Sequence, residues 1–276
     1  NMGGYIWTPI GFRKDKFAGV FNGNKKTISQ LFTDVDKDDV GLFGCNSGLI
    51  KNVEIANGKL SGKSAVGGVA GTNEGTVENS YNTTDIKGTG YCVGGVAGVN
   101  YGTIENSYNT GKVEGNVYVG GVTGNNTNKG VIKNSSNTGD ITGGFFVGGV
   151  AGGNKKKIEN SYNTGYVKGQ NYVGGVVGLN EDEGIAGLID YISIIKNSYN
   201  TGGVEGERDV GGFFGVNRNG KAENCYYCND EGKIKNKSND LGQGLSGKEM
   251  KEEEFARRLG DEFASDTNFY GRLINN

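Results

Sequence analysis

Few side chains in this sequence are of a type that does chemistry, and fewer stand at a useful spacing. Histidine is absent from all 276 residues, which removes the commonest general base and the commonest metal ligand. Asp85 and Asp140 occupy equivalent turns two repeats apart. At ~4.8 Å per stacked strand they would lie ~9–10 Å apart, near the separation of the paired carboxyl groups of an inverting glycosidase. Lys112 falls between them and would hold both ionised, whereas a general acid needs a raised pKa; turn solvation is the expected role. Cys225 and Cys228 make a single C-x-x-C, and neither Cys45 nor Cys92 supplies the second pair a zinc site needs. Cys225 also takes the slot that Ser80, Ser107, Ser135, Ser161 and Ser198 fill elsewhere, which suits a small buried side chain. Asp34, Asp36 and Asp38 alternate as calcium ligands do, but the sixth loop position is Asp39 rather than Gly and the twelfth is Cys45 rather than Glu. GKLSGKS at 58–64 misses the phosphate-loop spacing, because Asn57 stands where the first Gly is required. The expectation is no catalytic residues, no metal and no cofactor.

What the chain has instead is repetition. VGGVAG begins at Val66, Val93 and Val147, VGGVTG at Val119, VGGVVG at Val173 and VGGFFG at Val210, with a shortened VGLFG at Val40. An Asn closes each block, at 46, 73, 100, 126, 154, 180 and 217. A period near 27 residues signals a solenoid, whose units bury their apolar faces by stacking on one another. The 53 glycines recur at fixed places within the units rather than forming linkers, and the single proline, Pro9, leaves the ladders uninterrupted. Net charge is −2, which gives no basic field for nucleic acid, and no apolar run approaches the ~18 residues of a membrane span.

Each unit reads as three short strands: VGGVAG, then GTIENSY, then KVE, with NTG turning between the last two. Three apolar columns face inward. They are Val69, Val96, Val122, Val150, Val176 and Phe213; Ile50, Val77, Ile104, Ile132, Ile158, Ile195 and Ala222; and Leu60, Ile86, Val113, Ile141, Val167 and Val204. β-branched residues dominate, as a stacked pleated surface favours. An outward column beside the second, Lys51, Glu78, Glu105, Lys133, Glu159, Lys196 and Glu223, alternates in sign at all but one step, the pattern expected of direct cross-strand neighbours. Asn52, Asn79, Asn106, Asn134, Asn160, Asn197 and Asn224 should stack as an amide ladder at a corner. The fold expected is all-β: a right-handed parallel β-helix (β-solenoid) with three strands per coil and about seven coils. Residues 1–39 form an N-terminal cap and first irregular coil, and 40–228 the repeats, with an apolar insertion at about 182–193. Residues 229–276 form a C-terminal cap holding a helix at about 247–259, started by a Ser246/Glu249 capping box and ended at Gly260.

GLFG at 41–44 and GVAG at 68–71, 95–98 and 149–152, each followed by a variant of N-x-G-x-[IV]-x-N-S-Y-N-T-G, resemble the GLUG-motif repeats of bacterial surface and secreted proteins. The likeness extends over about 40–228. It implies an extracellular or cell-surface bacterial protein, often a stalk or adhesin-like part of a longer surface chain. Such repeats also accompany zinc metallopeptidases that cut immunoglobulin A, but an H-E-x-x-H motif cannot exist here without histidine. Two functions stand against one another: a non-enzymatic scaffold or adhesin-like module, with a host glycan or surface protein as partner and no nucleic acid or membrane insertion; and a polysaccharide-cleaving β-helix enzyme, or else an accessory segment of an immunoglobulin A metallopeptidase. The candidate binding residues are the tyrosine column, Tyr81, Tyr108, Tyr162 and Tyr199, and the insertion residues Ile185, Leu188, Asp190 and Tyr191, because aromatic rings offer flat apolar surface with a polar tip.

Overall fold

A computed structural model describes residues 6–182, 192–239, 241–266 and 269–273. Its repeats wind into a parallel β-solenoid of about eight turns, one of whose sheets has eight strands. One coil runs through five short strands: Tyr91–Gly94, Ala97–Asn100, Thr103–Glu105, Tyr108–Asn109 and Val113–Glu114. These belong to four stacked sheets, the third and fourth strands sharing the largest. Coils meet in register on every face, Val93 opposite Val119, Ala97 opposite Thr123, Ile104 opposite Ile132, Tyr108 opposite Ser136 and Val113 opposite Ile141.

Two of the three expected strands are thus each divided by a corner. Within VGGV the chain bends at the paired glycines. A Cβ on Gly95 would stand 2.2 Å from Asn109 Cγ and 2.2 Å from the Gly121 carbonyl of the next coil, so hydrogen alone fits there. Within TIENSY the bend falls at the asparagine, whose φ is 47° at Asn79, 47° at Asn106 and 49° at Asn134; Asn enters this left-handed region more readily than other side chains. A second left-handed column precedes each VGGV or VGGF: Ala65 (φ 53°), Cys92 (60°), Tyr118 (55°), Phe146 (54°), Tyr172 (58°) and Asp209 (52°). Its varied residue types gave no sequence signal.

The three inward columns are buried from end to end, except that Ala222 is exposed at the last rung. The charge column closes into ion pairs at two of its alternating steps, Glu105 with Lys133 at 2.8 Å and Lys196 with Glu223 at 2.8 Å. A parallel column joins Lys87 to Glu114 (3.2 Å) and Glu205 to both Lys168 (2.7 Å) and Lys235 (2.8 Å). Hydrogen bonds from Lys168, Lys235 and the Tyr166 hydroxyl pull the Glu205 pKa down to about 2. A folded-state pKa below the unfolded value of ~4.3 contributes stability that is present above that value and lost as pH falls through about 2. The stability difference between the native protein and Glu205→Gln should therefore be full at neutral pH and vanish by about pH 2, as denaturant midpoints across that window would measure.

The ends differ. At the N-terminus Val20–Ser29 pairs with Leu49–Ala56, and Phe32–Asp34 with Lys59–Gly62, so this segment is itself the first rung. Its register shifts between Asn22 and Lys26, and a bulge carrying lysines at Lys25 and Lys26 is a device that keeps a sheet edge from pairing onward. At the C-terminus the Ser246 hydroxyl meets Glu249 Oε2 at 2.7 Å and the Glu249 N–H donates back to Ser246 Oγ at 3.2 Å. The helix expected over 247–259 is nevertheless split, because Glu252 is extended (ψ 150°): a 3₁₀ turn, Glu249–Lys251, precedes a short α-helix, Glu253–Leu259. Met250, Phe255 and Leu259 bury against Tyr199, Tyr226 and Cys228. The final segment, Phe269–Leu273, pairs antiparallel with Phe263–Asp266 instead of extending the stack.

Candidate functional site

Alternation along the fourth strand settles which way the tyrosines point. Asn82, Asn109, Asn137, Asn163 and Asn200 turn inward and are buried, so the preceding residue of each pair turns outward. Register then aligns Tyr81, Tyr108, Ser136, Tyr162, Tyr199 and Tyr226 in one column. Tyr81 stacks on Tyr108 with centroids 4.0 Å apart, and Tyr162 on Tyr199 at 5.0 Å. Tyr108 is 38% exposed and Tyr81 half-buried, whereas Tyr199 is 1% exposed because the cap lays Phe255 against it in a T-shaped contact, centroids 5.5 Å apart. Of the four candidates, Tyr81 and Tyr108 therefore present surface, Tyr162 sits half-buried at the margin of the cap, and Tyr199 is withdrawn. Ile185, Leu188, Asp190 and Tyr191 lie outside the described residues. The stack resumes directly after that stretch, with Ile194 opposite Lys157 and Ile195 opposite Ile158.

Where rings stack on one another, their faces are used up, and only the outer face of a terminal ring remains for a ligand. Ser136 interrupts the column between Tyr108 and Tyr162. Ser136→Tyr would restore continuous stacking, worth ~0.5–1.5 kcal/mol per aromatic pair; a higher melting temperature is the expected readout.

Asp85 and Asp140 are occupied structurally: each accepts a backbone N–H from the next coil, Asp85 from Lys112 and Asp140 from Tyr166, both at 3.2 Å. Cys225 fills the serine slot as expected, opposite Ser198, and burial pushes its thiol up to about 12, which suppresses the thiolate a nucleophile needs. Asp39, in the calcium-like segment, binds Arg13 at 2.6 Å and Thr72 at 2.7 Å.

Two features of the interior escaped the sequence reading. The asparagine closing each block forms an unbroken buried chain, each Nδ2 donating to the next Oδ1 from Asn46 through Asn73, Asn100, Asn126, Asn154 and Asn180 to Asn217, at 2.8–2.9 Å. The asparagine of SYN makes a second such chain from Asn82 to Asn200, every step 2.8 Å. Their signal was the period itself, since two polar residues recur as strictly as the valines. A second aromatic stack also went unseen: Tyr118, Phe146 and Tyr172, with centroids 4.8 and 4.9 Å apart, on the left-handed corner.

A parallel solenoid locked by internal amide chains and displaying its outward side chains in columns is the class these features define. The GLUG motif, as a family model, matches residues 62–87, 89–114 and 115–142, so those three units are GLUG repeats, and the units on either side continue their register. In structure the chain is similar to a Bacteroides ovatus protein provisionally described as an immunoglobulin A1 protease, with a TM-score of 0.62, 20% identity, and coverage of 99% of this chain and 82% of that one. At that identity the two share a fold. No curated protein matches the sequence.

Proposed function

We propose that this chain is a non-catalytic solenoid module of a secreted or surface-displayed bacterial protein, serving as a scaffold with adhesive capacity toward a host glycan or protein. The carrying observation is the use made of the polar interior: the two buried asparagine chains hydrogen-bond along the stack, which makes a rigid rod rather than a reaction centre. The carboxylates best placed for glycosidase chemistry, Asp85 and Asp140, hold backbone N–H groups of adjacent coils, which disfavours the enzyme reading. Incubating the chain with a panel of polysaccharides and following reducing ends should show no hydrolysis. Cleavage that is lost in Asp85→Asn would overturn the proposal.

A second reading, an accessory segment of an immunoglobulin A protease, draws support from the fold shared with the Bacteroides ovatus protein across nearly the whole chain. Its expected result is binding of immunoglobulin A1 without cleavage; absence of binding would remove it.

A further inference from the structure

We infer that a cleft at the N-terminal end of the tyrosine column is a binding site for a neutral pyranose ring. The cleft has a volume of about 420 Å³ and is lined by Lys25, Asn52, Val53, Glu54, Asn79 and Tyr81, within the ~300–1,000 Å³ typical of ligand pockets. It exists because of the first rung's bulge. Among the described residues, no other rung of the stack carries such a register shift, and here Asn24 and Lys25 are both turned left-handed (φ 51° and 59°).

Three independent features converge on it. First, Tyr81 is the terminal ring of its stack. Tyr108 covers one face at 4.0 Å, while the rung on the other side holds Glu54 and, beyond it, Thr27, so no second ring stacks on the side of Tyr81 that borders the cleft. Second, the corner amide ladder is interrupted over Asn79 and Asn106, and Asn79 is the one of the two that borders the cleft. Asn52 bonds to Asn22 at 3.0 Å, and Asn160, Asn197 and Asn224 each bond to the asparagine before them. Among the described residues, no such bond engages the Asn79 carboxamide, which is left to line the cleft. Third, Glu54 uses one oxygen, Oε2, to accept the Thr27 hydroxyl at 2.8 Å, and among the described residues its other oxygen has no hydrogen-bond partner, with the exposed Lys25 ammonium in the same wall.

An exposed ring face takes the C–H face of a sugar; an adjacent carboxylate oxygen accepts from a hydroxyl, and an amide and an ammonium donate to others. Because Lys25 and Glu54 bring opposite charges, the wall has no net sign to select an anionic ligand, and a neutral ring fits best. The site rests on the reading of the module as a displayed binding surface; the scaffold role stands without it.

Saturation-transfer NMR of the whole chain with the methyl glycosides of glucose, galactose, mannose and N-acetylglucosamine would test this. Transfer to the ring C–H protons of at least one glycoside is expected. Tyr81→Ala should weaken that glycoside by about tenfold, Tyr81→Phe should retain it, and Tyr172→Ala, on the other aromatic stack, should leave it unchanged. Asn79→Gly removes the carboxamide while tolerating the left-handed φ of 47°, and should weaken binding severalfold with the melting temperature preserved. Absence of transfer from all four glycosides would overturn the site, as would undiminished transfer in Tyr81→Ala. Hydrolysis of a bound glycoside would instead overturn the non-catalytic reading.

Discussion

Asn109→Asp should be far less stable than the native protein at pH 8 and much closer to it at pH 4. Asn109 is fully buried; its Nδ2 donates to Gly111 O at 2.7 Å and to Asn137 Oδ1 at 2.8 Å, while its Oδ1 accepts from Asn82 Nδ2 at 2.8 Å. Aspartate is nearly isosteric but sets an oxygen against two oxygens. Ionised, it is a buried charge without a counter-ion, a change that costs about 3–5 kcal/mol. Burial and the facing acceptors raise its folded-state pKa above the unfolded ~3.9. Below pH ~4 both states hold the proton. As pH rises, the unfolded chain ionises while the folded one must keep its proton, and stability falls until the folded pKa is reached. Urea midpoints of variant and native protein at pH 4 and pH 8 would measure this. Equal losses at the two pH values would mean that the amide chain tolerates an acceptor in place of a donor.

Phe255→Ala should have an effect as large but confined to one end. The ring is 2% exposed and makes T-shaped contacts with Tyr199 and Tyr226, centroids 5.5 and 5.4 Å apart; truncating a buried Phe costs about 3–5 kcal/mol. In a stack where each coil touches its neighbours alone, the loss stays local. Amide exchange should accelerate in Lys221–Cys228 and Gln243–Leu245 while Thr103–Glu105 and Tyr108–Asn109 remain protected. Uncovering the last rung also exposes an unpaired strand edge, so concentration-dependent association should appear in sedimentation. Uniform acceleration through all coils would contradict this picture.

The solenoid was legible in the sequence because its register is enforced twice, by valine and isoleucine columns inside and by alternating Lys and Glu outside. The corners were not. Asn106 and the paired glycines look compatible with a continuous strand until the next coil is in place, because what forbids a straight path at Gly95 is the Gly121 carbonyl 26 residues away. The tyrosine column was found by its period, but its division into surface and buried members depends on where Phe255 comes to rest, which the pattern of the repeats does not encode. The cleft beside Tyr81 depends on the irregular first rung, the part of the chain where periodicity gives no guidance.

The buried amide chains also bear on how such proteins change through evolution. Every link offers the same donor upward and the same acceptor downward, so Asn73 could bond Asn126 as well as it now bonds Asn100. Gain or loss of a whole unit of 26–28 residues leaves no mismatched junction, and each event changes the reach of the rod by ~4.8 Å. Length is in effect a copy number, adjustable by gene duplication without any redesign of the interior.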